Sequence, residues 1–226
     1  MIGDPAKLVI RRPRNRPTEA AITRFASRST SFIVDAMQGR GGLGQRIKPL
    51  DPTSRFAGSA LTARAGARDN LAALAALDLI QPGDVLVIAT QGFTGTAVLG
   101  DNMARIAKQR GAVAVVTDGA VRDADEIRAI GLPVFASAIT PNSAFPSGPG
   151  EVGLPLALGD VSIDQGDLIL GDADGVVVVP GDRIGEIEQS LDEVATREAE
   201  LQAKIEGGSL DTLLSEEISR SIRYVD

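Results

Sequence analysis

The sequence predicts a mixed α/β domain with more than one layer of β-sheet. Between residues 85 and 137, short buried apolar runs alternate with helical patterns, which predicts parallel strands joined by crossover helices. Residues 151–180 have β character throughout and are divided by turn signals, which predicts antiparallel pairing. Helical patterns precede and follow these two regions, so we expect helices to flank the sheets.

The first part of the chain is predicted to begin irregularly and then to become helical. Residues 1–16 are rich in arginine and show no apolar periodicity, which predicts an irregular basic arm; subunit contact and disorder are the alternatives for its role. A helical pattern starts at Thr18, and a second short helix is expected over residues 31–38, ended by the glycines that begin at Gly39. Residues 56–66 alternate in the manner of a strand.

The central region supplies the alternation of helices and strands. Helical patterns cover residues 70–79, 99–110 and 123–130, and buried strand patterns cover residues 85–89, 112–117 and 133–137. A glycine loop, GFTG at residues 92–95, lies between the first of these strands and the helix that follows it. The stretch 140–150 holds three prolines and two glycines, so it is predicted to be a long loop.

The last part of the chain is predicted to change from strands to helices. Turn signals separate the strands at residues 159–160, 166–167 and 172–175. The last of these, GDADG, lacks the spacing of a calcium-binding EF-hand loop and is interpreted as a β-turn. A long acidic helix is expected over 182–205, and Ser209 is expected to cap a final helix. We therefore divide the chain into an arm (1–16), one α/β domain (17–180) and a C-terminal helical extension (181–226).

The chain of 226 residues contains no histidine and no cysteine, and this absence restricts its chemistry. It excludes catalytic Ser/His/Asp and Cys/His systems, zinc sites built on His and Cys, iron–sulfur clusters and disulfide bonds. Any reaction must use carboxylates, Arg, Lys, hydroxyl groups, backbone amides or a bound ion. A metal ion would need oxygen ligands, which favours Mg²⁺ or Mn²⁺.

The charge and hydropathy of the chain predict its surroundings. A net charge of −7 argues against a nucleic acid partner. No run of 18 apolar residues occurs, and the basic N-terminus has no apolar core of a signal peptide, so we expect a cytoplasmic protein without a membrane span. A transit peptide is the alternative, although Asp4 and two prolines fit it poorly.

Three polar segments follow buried strands and form the candidate site. In open α/β sheets, ligands bind beyond the carboxyl ends of parallel strands, and all three segments are predicted to lie there. The first contains Asp101 at a helix start, the second is Arg122–Asp123, and the third is the loop 140–150. Arg122 can hold a carboxylate or enolate through paired donors, and Asp123 can ligate a hard cation. The alternatives are that Asp101 only caps a helix and that Arg122–Asp123 is a local ion pair or a cap.

The spacing of these residues resembles a known family. Asp101, twenty intervening residues and then Arg122–Asp123 match the D-x20-R-D signature of the 4-hydroxy-4-methyl-2-oxoglutarate aldolase/RraA-like family. Similar segments are TSFIVDAMQG (30–39), IKPL (47–50), FAGSALTARA (56–65), GDVLVIA (83–89), the whole of 99–123, GLPVFA (131–136) and GDLILGDADGVVVVP (166–180). The resemblance implies a swivelling β/β/α domain of the RraA-like type, assembled as a homotrimer or homohexamer with sites between subunits.

The resemblance also implies an activity and roles for residues. The activity is a metal-dependent aldolase that releases pyruvate from 4-hydroxy-2-oxo acids, commonly with oxaloacetate decarboxylation. Asp123 would bind Mg²⁺ or Mn²⁺, Arg122 would hold the pyruvyl oxygens, and Asp101 would orient a water for proton transfer. Backbone amides around 92–95 and 101–103 would bind the pyruvate carboxylate, which makes Gly92, Gly95, Gly100, Asn102 and Met103 candidate substrate-binding residues. Glu198 on the last long helix would reach the site of a neighbouring subunit.

Three other functions remain open at this point. Regulators that bind and inhibit a ribonuclease resemble this chain in fold and can keep the signature, but they are shorter. A menaquinone methyltransferase is a third interpretation, but no glycine-rich loop for S-adenosylmethionine is found. The fourth is an enzyme with an unfamiliar substrate, because the stretch 140–152 departs from shorter versions in the family.

Overall fold

The structure is a computed structural model that describes residues 6–12, 15–208, 214 and 216–225. It confirms a mixed α/β fold with several sheets and flanking helices. The helices are α1 (Glu19–Ala26), α2 (Thr30–Ala36), α3 (Leu71–Leu77), α4 (Asp101–Gln109), α5 (Ala124–Ile130), α6 (Ile184–Glu206) and α7 (Glu216–Ser221). The strands are β1 (Leu8–Ile10), β2 (Lys48–Pro49), β3 (Phe56–Arg64), β4 (Asp84–Ala89), β5 (Ala97–Leu99), β6 (Ala114–Thr117), β7 (Ala120–Val121), β8 (Val134–Ala136), β9 (Ala138–Ile139), β10 (Gly150–Val152), β11 (Leu156–Leu158), β12 (Val161–Ile163), β13 (Leu168–Asp172) and β14 (Gly175–Val179).

The largest sheet has a parallel centre, as the alternation of strands and helices predicts. Strands β3, β4, β6 and β8 lie side by side in parallel. The first half of β3 pairs antiparallel with β13 and its end with β10, and β13 forms an antiparallel hairpin with β14. The predicted antiparallel pairing in the β-rich region is therefore confirmed.

The two faces of this sheet are buried against different layers. Along β4, Leu86 and Ile88 pack into a cluster with α3, α4 and α5. Val85 and Val87 alternate with them and pack on the opposite face, in a cluster that includes residues of the β11–β12 hairpin. All of β4 is buried, and after Asp84 its sequence is a continuous apolar run, which is typical of a central parallel strand.

A third cluster joins the two ends of the chain to the β13–β14 hairpin. Helices α1, α2 and α6 pack against this hairpin through buried residues that include Phe25, Ile33 and Leu191. The buried positions of α6 end at Val194, and the rest of this helix is exposed apart from the half-buried Ala195. The predicted helix over 182–205 is confirmed, with a short 3₁₀ turn at Gly181–Arg183 before it.

A second, three-stranded parallel sheet positions the candidate site. Strands β5, β7 and β9 follow β4, β6 and β8 along the chain and pair in the order β5–β7–β9. Ala97–Leu99 therefore forms a strand, and the helix expected from Leu99 begins at Asp101 instead. Each strand has only two or three residues, so its pattern is too short to distinguish from a loop.

The prediction of an irregular arm is wrong for residues 8–10. Leu8–Ile10 forms β1, which pairs in parallel with β10 at the edge of the main sheet. Arg16 forms an ion pair with Asp84 and donates a hydrogen bond to the Pro82 carbonyl. Burial raises the pKa of Asp84 despite this arginine, because desolvation of the carboxylate outweighs the attraction. The arm is thus fixed to the sheet by backbone pairing and by charge.

The GDADG segment forms the predicted turn, but its first aspartate also has a structural role. Asp172 accepts hydrogen bonds from the Thr30 backbone N–H and hydroxyl, at 2.8 and 2.7 Å, and from the Asp174 N–H at 3.0 Å. Burial alone raises the pKa of Asp172, but these hydrogen bonds outweigh it and the pKa is lowered. The carboxylate therefore joins the β13–β14 turn to the start of α2.

Among the described residues, no helix is both long and apolar enough to cross a membrane. Ser209, which is predicted to cap a final helix, lies outside the described residues.

Candidate active site

The three polar segments meet at the carboxyl ends of the small parallel sheet. Strand β5 leads through Gly100 into α4, β7 leads through Arg122 and Asp123 into α5, and β9 leads into the loop 140–150. Together they enclose a cavity of about 300 Å³. Its lining residues are Asn70, Ala97, Val98, Leu99, Gly100, Asp101, Asn102, Met103, Arg122, Ser143, Ala144 and Phe145. The cavity therefore lies beyond the carboxyl ends of the strands of the small sheet, which is where ligands bind in open α/β sheets.

Arg122 and Asp123 are held in fixed positions relative to each other. Asp123 has a left-handed backbone conformation, with φ 57° and ψ 45°, which is uncommon for a residue other than glycine. Its Oδ2 accepts a hydrogen bond from the Asp101 N–H at 3.3 Å and lies 3.3 Å from the Arg122 Nε. Arg122 Nη1 donates to the Ser143 hydroxyl at the start of the long loop. The pair therefore connects α4, α5 and the loop.

Neither Asp101 nor Asp123 caps a helix through its side chain. Gly100, not Asp101, occupies the N-cap position of α4. Asp123 occupies the N-cap position of α5, but its side chain makes no capping hydrogen bond there. Asp101 directs its Oδ2 towards Arg105, 3.6 Å from Nε. Arg122–Asp123 is indeed a local ion pair, yet both side chains remain more than one third exposed beside the cavity, so solutes can reach them.

Glycine at position 100 leaves the space that the two charged side chains occupy. A Cβ atom there would lie 2.5 Å from the Asp123 Oδ2 and 2.9 Å from the Arg122 Nε. The backbone of Gly100 is extended, at φ −127° and ψ −171°, so close approach and not backbone conformation requires glycine.

The first turn of α4 offers free donors to the cavity. The Asp101 N–H is bonded to Asp123, and the Ala104 N–H bonds to the Gly100 carbonyl at 3.1 Å. The N–H groups of Asn102 and Met103 between them have no partner within the helix, as the geometry of a helix start requires. Such groups, at the positive end of the helix dipole, bind a carboxylate.

Four of the predicted site residues are not among those that line this cavity. Asp123 is one of them, although it contacts the lining residues Asp101 and Arg122. The Gly92 N–H donates to the Asp118 Oδ2 at 2.8 Å, and Gly92 lines a separate cavity of about 900 Å³. Gly95 packs under the ring of Phe93 and does not line the 300 Å³ cavity. Glu198 is exposed on α6 beyond the last buried residue of this helix, where the single chain brings it near none of the residues above.

Sequence reasoning missed Asn70 and did not single out Ser143 or Phe145. Ser143 and Phe145 belong to the loop that was expected to lie at the site, so the loop itself was the available signal. Asn70 precedes α3 and would be taken for a capping residue. Phe145 is 68% exposed at the mouth of the cavity.

The carboxylate of Asp123 leaves one oxygen free for a divalent cation. Within the described residues, no group of three or more acidic side chains could hold a metal. Asp123 Oδ1 accepts no hydrogen bond from the described part of the chain, whereas Oδ2 is engaged by Asp101 and Arg122. Mg²⁺ in proteins is commonly bound by one or two carboxylates with waters completing its shell. One free oxygen on a carboxylate that is 35% exposed and lies next to the cavity-lining Arg122 fits that mode.

A family model described as "RraA-like: Aldolase/RraA" matches residues 30–178. This range covers the main sheet except for β1 and the last residue of β14, the whole small sheet, and all the residues that line the cavity. The chain belongs to the RraA-like family. The RraA-like fold implied by the sequence resemblance is therefore confirmed.

The named relatives of this RraA-like chain include both aldolases and an RNA-processing inhibitor. A protein of Halalkalibacterium halodurans, named "Putative 4-hydroxy-4-methyl-2-oxoglutarate aldolase", is 37% identical over 81% of the chain and 86% of its own length. A Thermus thermophilus protein named 4-hydroxy-4-methyl-2-oxoglutarate aldolase is 38% identical over 59% of the chain and 81% of its own length. A solved structure from Thermus, described as the RNA-processing inhibitor RraA, has a TM-score of 0.63 at 34% identity over 68% of the chain and 93% of its own. The family alone therefore does not choose between enzyme and inhibitor.

Proposed function

We propose that the chain is a divalent-metal-dependent aldolase that cleaves 4-hydroxy-2-oxo acids to pyruvate and a second oxo compound, with oxaloacetate decarboxylation as a second activity. The observation that carries the proposal is the position of Arg122 and Asp101 in the lining of one small cavity at the start of α4, with Asp123 in contact with both. A cavity of about 300 Å³ suits a small acid better than a macromolecule.

The described groups match the pyruvyl end of such a substrate. The free N–H groups of Asn102 and Met103 would bind its carboxylate, and the guanidinium of Arg122 would hold the 2-oxo oxygen. Cleavage of the carbon–carbon bond leaves negative charge on that oxygen as the enolate forms. Arg122 would stabilise this charge through its remaining N–H donors. Because its Nε and Nη1 are already held by Asp123 and Ser143, little reorganisation of the guanidinium is needed.

Asp123 and Asp101 would divide the remaining tasks. Asp123 would hold Mg²⁺ or Mn²⁺ through Oδ1, and the cation when bound supplies positive charge next to the 2-oxo group. Asp101 would orient a water molecule that removes the proton from the substrate's 4-hydroxyl and later returns a proton to the enolate carbon. This division needs neither histidine nor cysteine, in agreement with the composition.

We also propose a homotrimer or homohexamer in which Glu198 contributes to the site of a neighbouring subunit. The support is indirect: α6 extends beyond Val194 as an exposed helix that carries Leu201 and Ile205 at 45% and 54% exposure. These two residues are four positions apart and therefore lie on one face of the helix, and an exposed apolar strip of this kind is compatible with a subunit contact. The proposal also includes a cytoplasmic location and no nucleic acid partner.

The test is pyruvate release from purified protein with Mg²⁺ or Mn²⁺. A panel of 4-hydroxy-2-oxo acids and oxaloacetate is supplied, and pyruvate is coupled to lactate dehydrogenase. We expect activity that EDTA abolishes and that Asp123→Ala lowers by about 10²–10³-fold, as for loss of a group that stabilises the transition-state charge. The matched control is Asp125→Ala, since Asp125 lies in the first turn of the same helix that Asp123 precedes, but is exposed and pairs with Arg128.

The second candidate is an RraA-like inhibitor of a ribonuclease, and it is favoured by the likeness to the Thermus RNA-processing inhibitor. The match covers 93% of the inhibitor chain but only 68% of this chain, so this chain is longer than the inhibitor. The absence of pyruvate from every substrate, together with inhibition of a ribonuclease by the purified protein, would establish the second candidate and refute the first.

A further inference from the structure

The side chain of Asn70 faces the candidate site without a role in the fold. It holds the N-cap position of α3 but makes no capping hydrogen bond. The neighbouring Asp69 makes the hydrogen bond at the start of α3 instead: its Oδ1 accepts the Leu71 N–H at 2.8 Å. Asn70 is thereby left to line the 300 Å³ cavity together with Arg122 and Asp101.

Asp69 also fixes the cavity wall on which Asn70 lies. Its Oδ2 accepts the N–H groups of Ser147 and Gly148, both at 2.6 Å, and the residue is only 6% exposed. One buried carboxylate therefore joins the start of α3 to the loop 140–150. This link brings Asn70 and Phe145 to the same wall.

The amide of Asn70 lacks the partners that a structural asparagine has. Its Oδ1 is one of two buried side-chain atoms in the described residues without a hydrogen-bond partner, and the other, Gln165 Nε2, belongs to a residue outside this cavity. A buried polar atom without a partner is destabilising, so such atoms are rare and commonly mark functional sites. Nδ2 makes no hydrogen bond within the described chain either and is not itself buried, so it is free to donate to a ligand in the cavity that Asn70 lines.

The proposed substrates carry one oxygen at the reacting carbons that the groups described above do not bind. In the proposed function, on which this inference rests, the carboxylate is bound by the N–H groups of Asn102 and Met103, and the 2-oxo oxygen by Arg122. The remaining oxygen at the reacting carbons is that of the 4-hydroxyl group. We propose that Asn70 Nδ2 donates a hydrogen bond to the C4 oxygen and makes the site selective for hydroxylated substrates.

The proposed hydrogen bond is directed at the oxygen and not at its proton. The hydroxyl proton stays free to move to the water that Asp101 orients. As that proton leaves, negative charge grows on the C4 oxygen before it becomes the carbonyl of the second product, and the bond from Asn70 strengthens. Oxaloacetate has no such hydroxyl group, so its decarboxylation does not use Asn70.

The test compares two substrates in the same variants. Steady-state kcat/KM is measured for 4-hydroxy-2-oxoglutarate and for oxaloacetate in wild type, Asn70→Ala, Asn70→Asp and the control Asn15→Ala, an exposed asparagine of the arm. Asn70→Asp has nearly the same shape but only accepts hydrogen bonds. Its added charge disfavours both substrates, which are dianions, so the ratio of the two kcat/KM values isolates the donor. Oxalate binding by calorimetry and the unfolding midpoint check the pyruvyl end and the fold.

The expected result is a fall of about tenfold or more in the ratio of aldol cleavage to decarboxylation for both Asn70→Ala and Asn70→Asp, through kcat more than KM. Asn15→Ala keeps the wild-type ratio. An Asn70→Asp ratio equal to that of wild type would overturn the donor role, and equal losses on both substrates would show that Asn70 only shapes the cavity. If wild type releases pyruvate from neither substrate, the proposed function fails and this inference fails with it, whereas the previous two outcomes leave the aldolase intact.

Discussion

The substitution Gly100→Ala tests whether the arrangement of Arg122 and Asp123 is what gives the site its activity. The new Cβ would lie 2.5 Å from the Asp123 Oδ2, about 0.9 Å closer than the 3.4 Å at which ordinary contact begins. It would also lie 2.9 Å from the Arg122 Nε. The backbone at this position suits any residue, so only these two side chains must move.

The expected effects on activity and stability differ sharply. A shift of about 1 Å in a reacting group costs on the order of 100-fold in rate, so kcat/KM for pyruvate release should fall by about that factor. Both displaced side chains are more than one third exposed and can rotate towards solvent. The free energy of unfolding should therefore change by less than about 1 kcal/mol, because Ala also lowers the entropy of the unfolded chain.

The assay is coupled pyruvate release over a range of Mn²⁺ concentrations, with the unfolding midpoint measured in urea. Gly185→Ala is the matched control, since a Cβ at that position of α6 meets no atom within 4 Å. A Gly100→Ala enzyme with wild-type kcat/KM would refute the conclusion that the positions of Arg122 and Asp123 limit the rate. A large loss of stability would instead show that the two side chains cannot move aside.

Three further outcomes are expected. Arg122→Lys lowers kcat/KM for pyruvate release by about 10²–10³-fold, because one ammonium group cannot replace the paired donors; Arg128→Lys, on the nearby α5, leaves it unchanged. Ser143→Ala lowers kcat/KM by about 3–30-fold by freeing the guanidinium, whereas Ser147→Ala has little effect; equal effects of the two serine variants would contradict this. Asp172→Asn lowers the free energy of unfolding by about 1–3 kcal/mol at pH 7 in urea titrations. Since the pKa of Asp172 is below its ordinary 3.8 in the folded state, its contribution is present above that pH and is lost as the pH falls through the lowered pKa, so the deficit of the variant should shrink below about pH 4.

The parallel centre of the main sheet could be predicted because its strands are long or largely apolar. Residues 85–89 and 112–117 are buried on both faces, so their composition alone indicates central strands. The small sheet could not be predicted in this way. Ala120–Val121 has two residues between Gly119 and Arg122, and its pairing with Ala97–Leu99 and Ala138–Ile139 is determined by the strands before them.

The residues of the candidate site could likewise be predicted only in part. Asp101, Arg122 and Asp123 could be located because they follow apolar runs and match a family spacing. Gly92 was expected with them, but its N–H is occupied by Asp118, a contact that depends on the register between two strands. Asn70 could not be found, because a capping asparagine and a ligand-binding one have the same sequence context until the bond made by Asp69 is known.

The way in which the loop 140–150 is anchored has a consequence for how substrate range can change. Its contacts to Ala97, Arg68, Asp69 and Lys7 all use the main chain of the loop: the Asn142 carbonyl and the N–H groups of residues 145, 147, 148 and 150. The side chains at positions 144 and 145 take no part in these contacts, so they can be exchanged without loosening the wall. Mutational libraries at positions 144 and 145 should yield folded proteins with altered selectivity, and natural drift at these positions can proceed without a cost in stability.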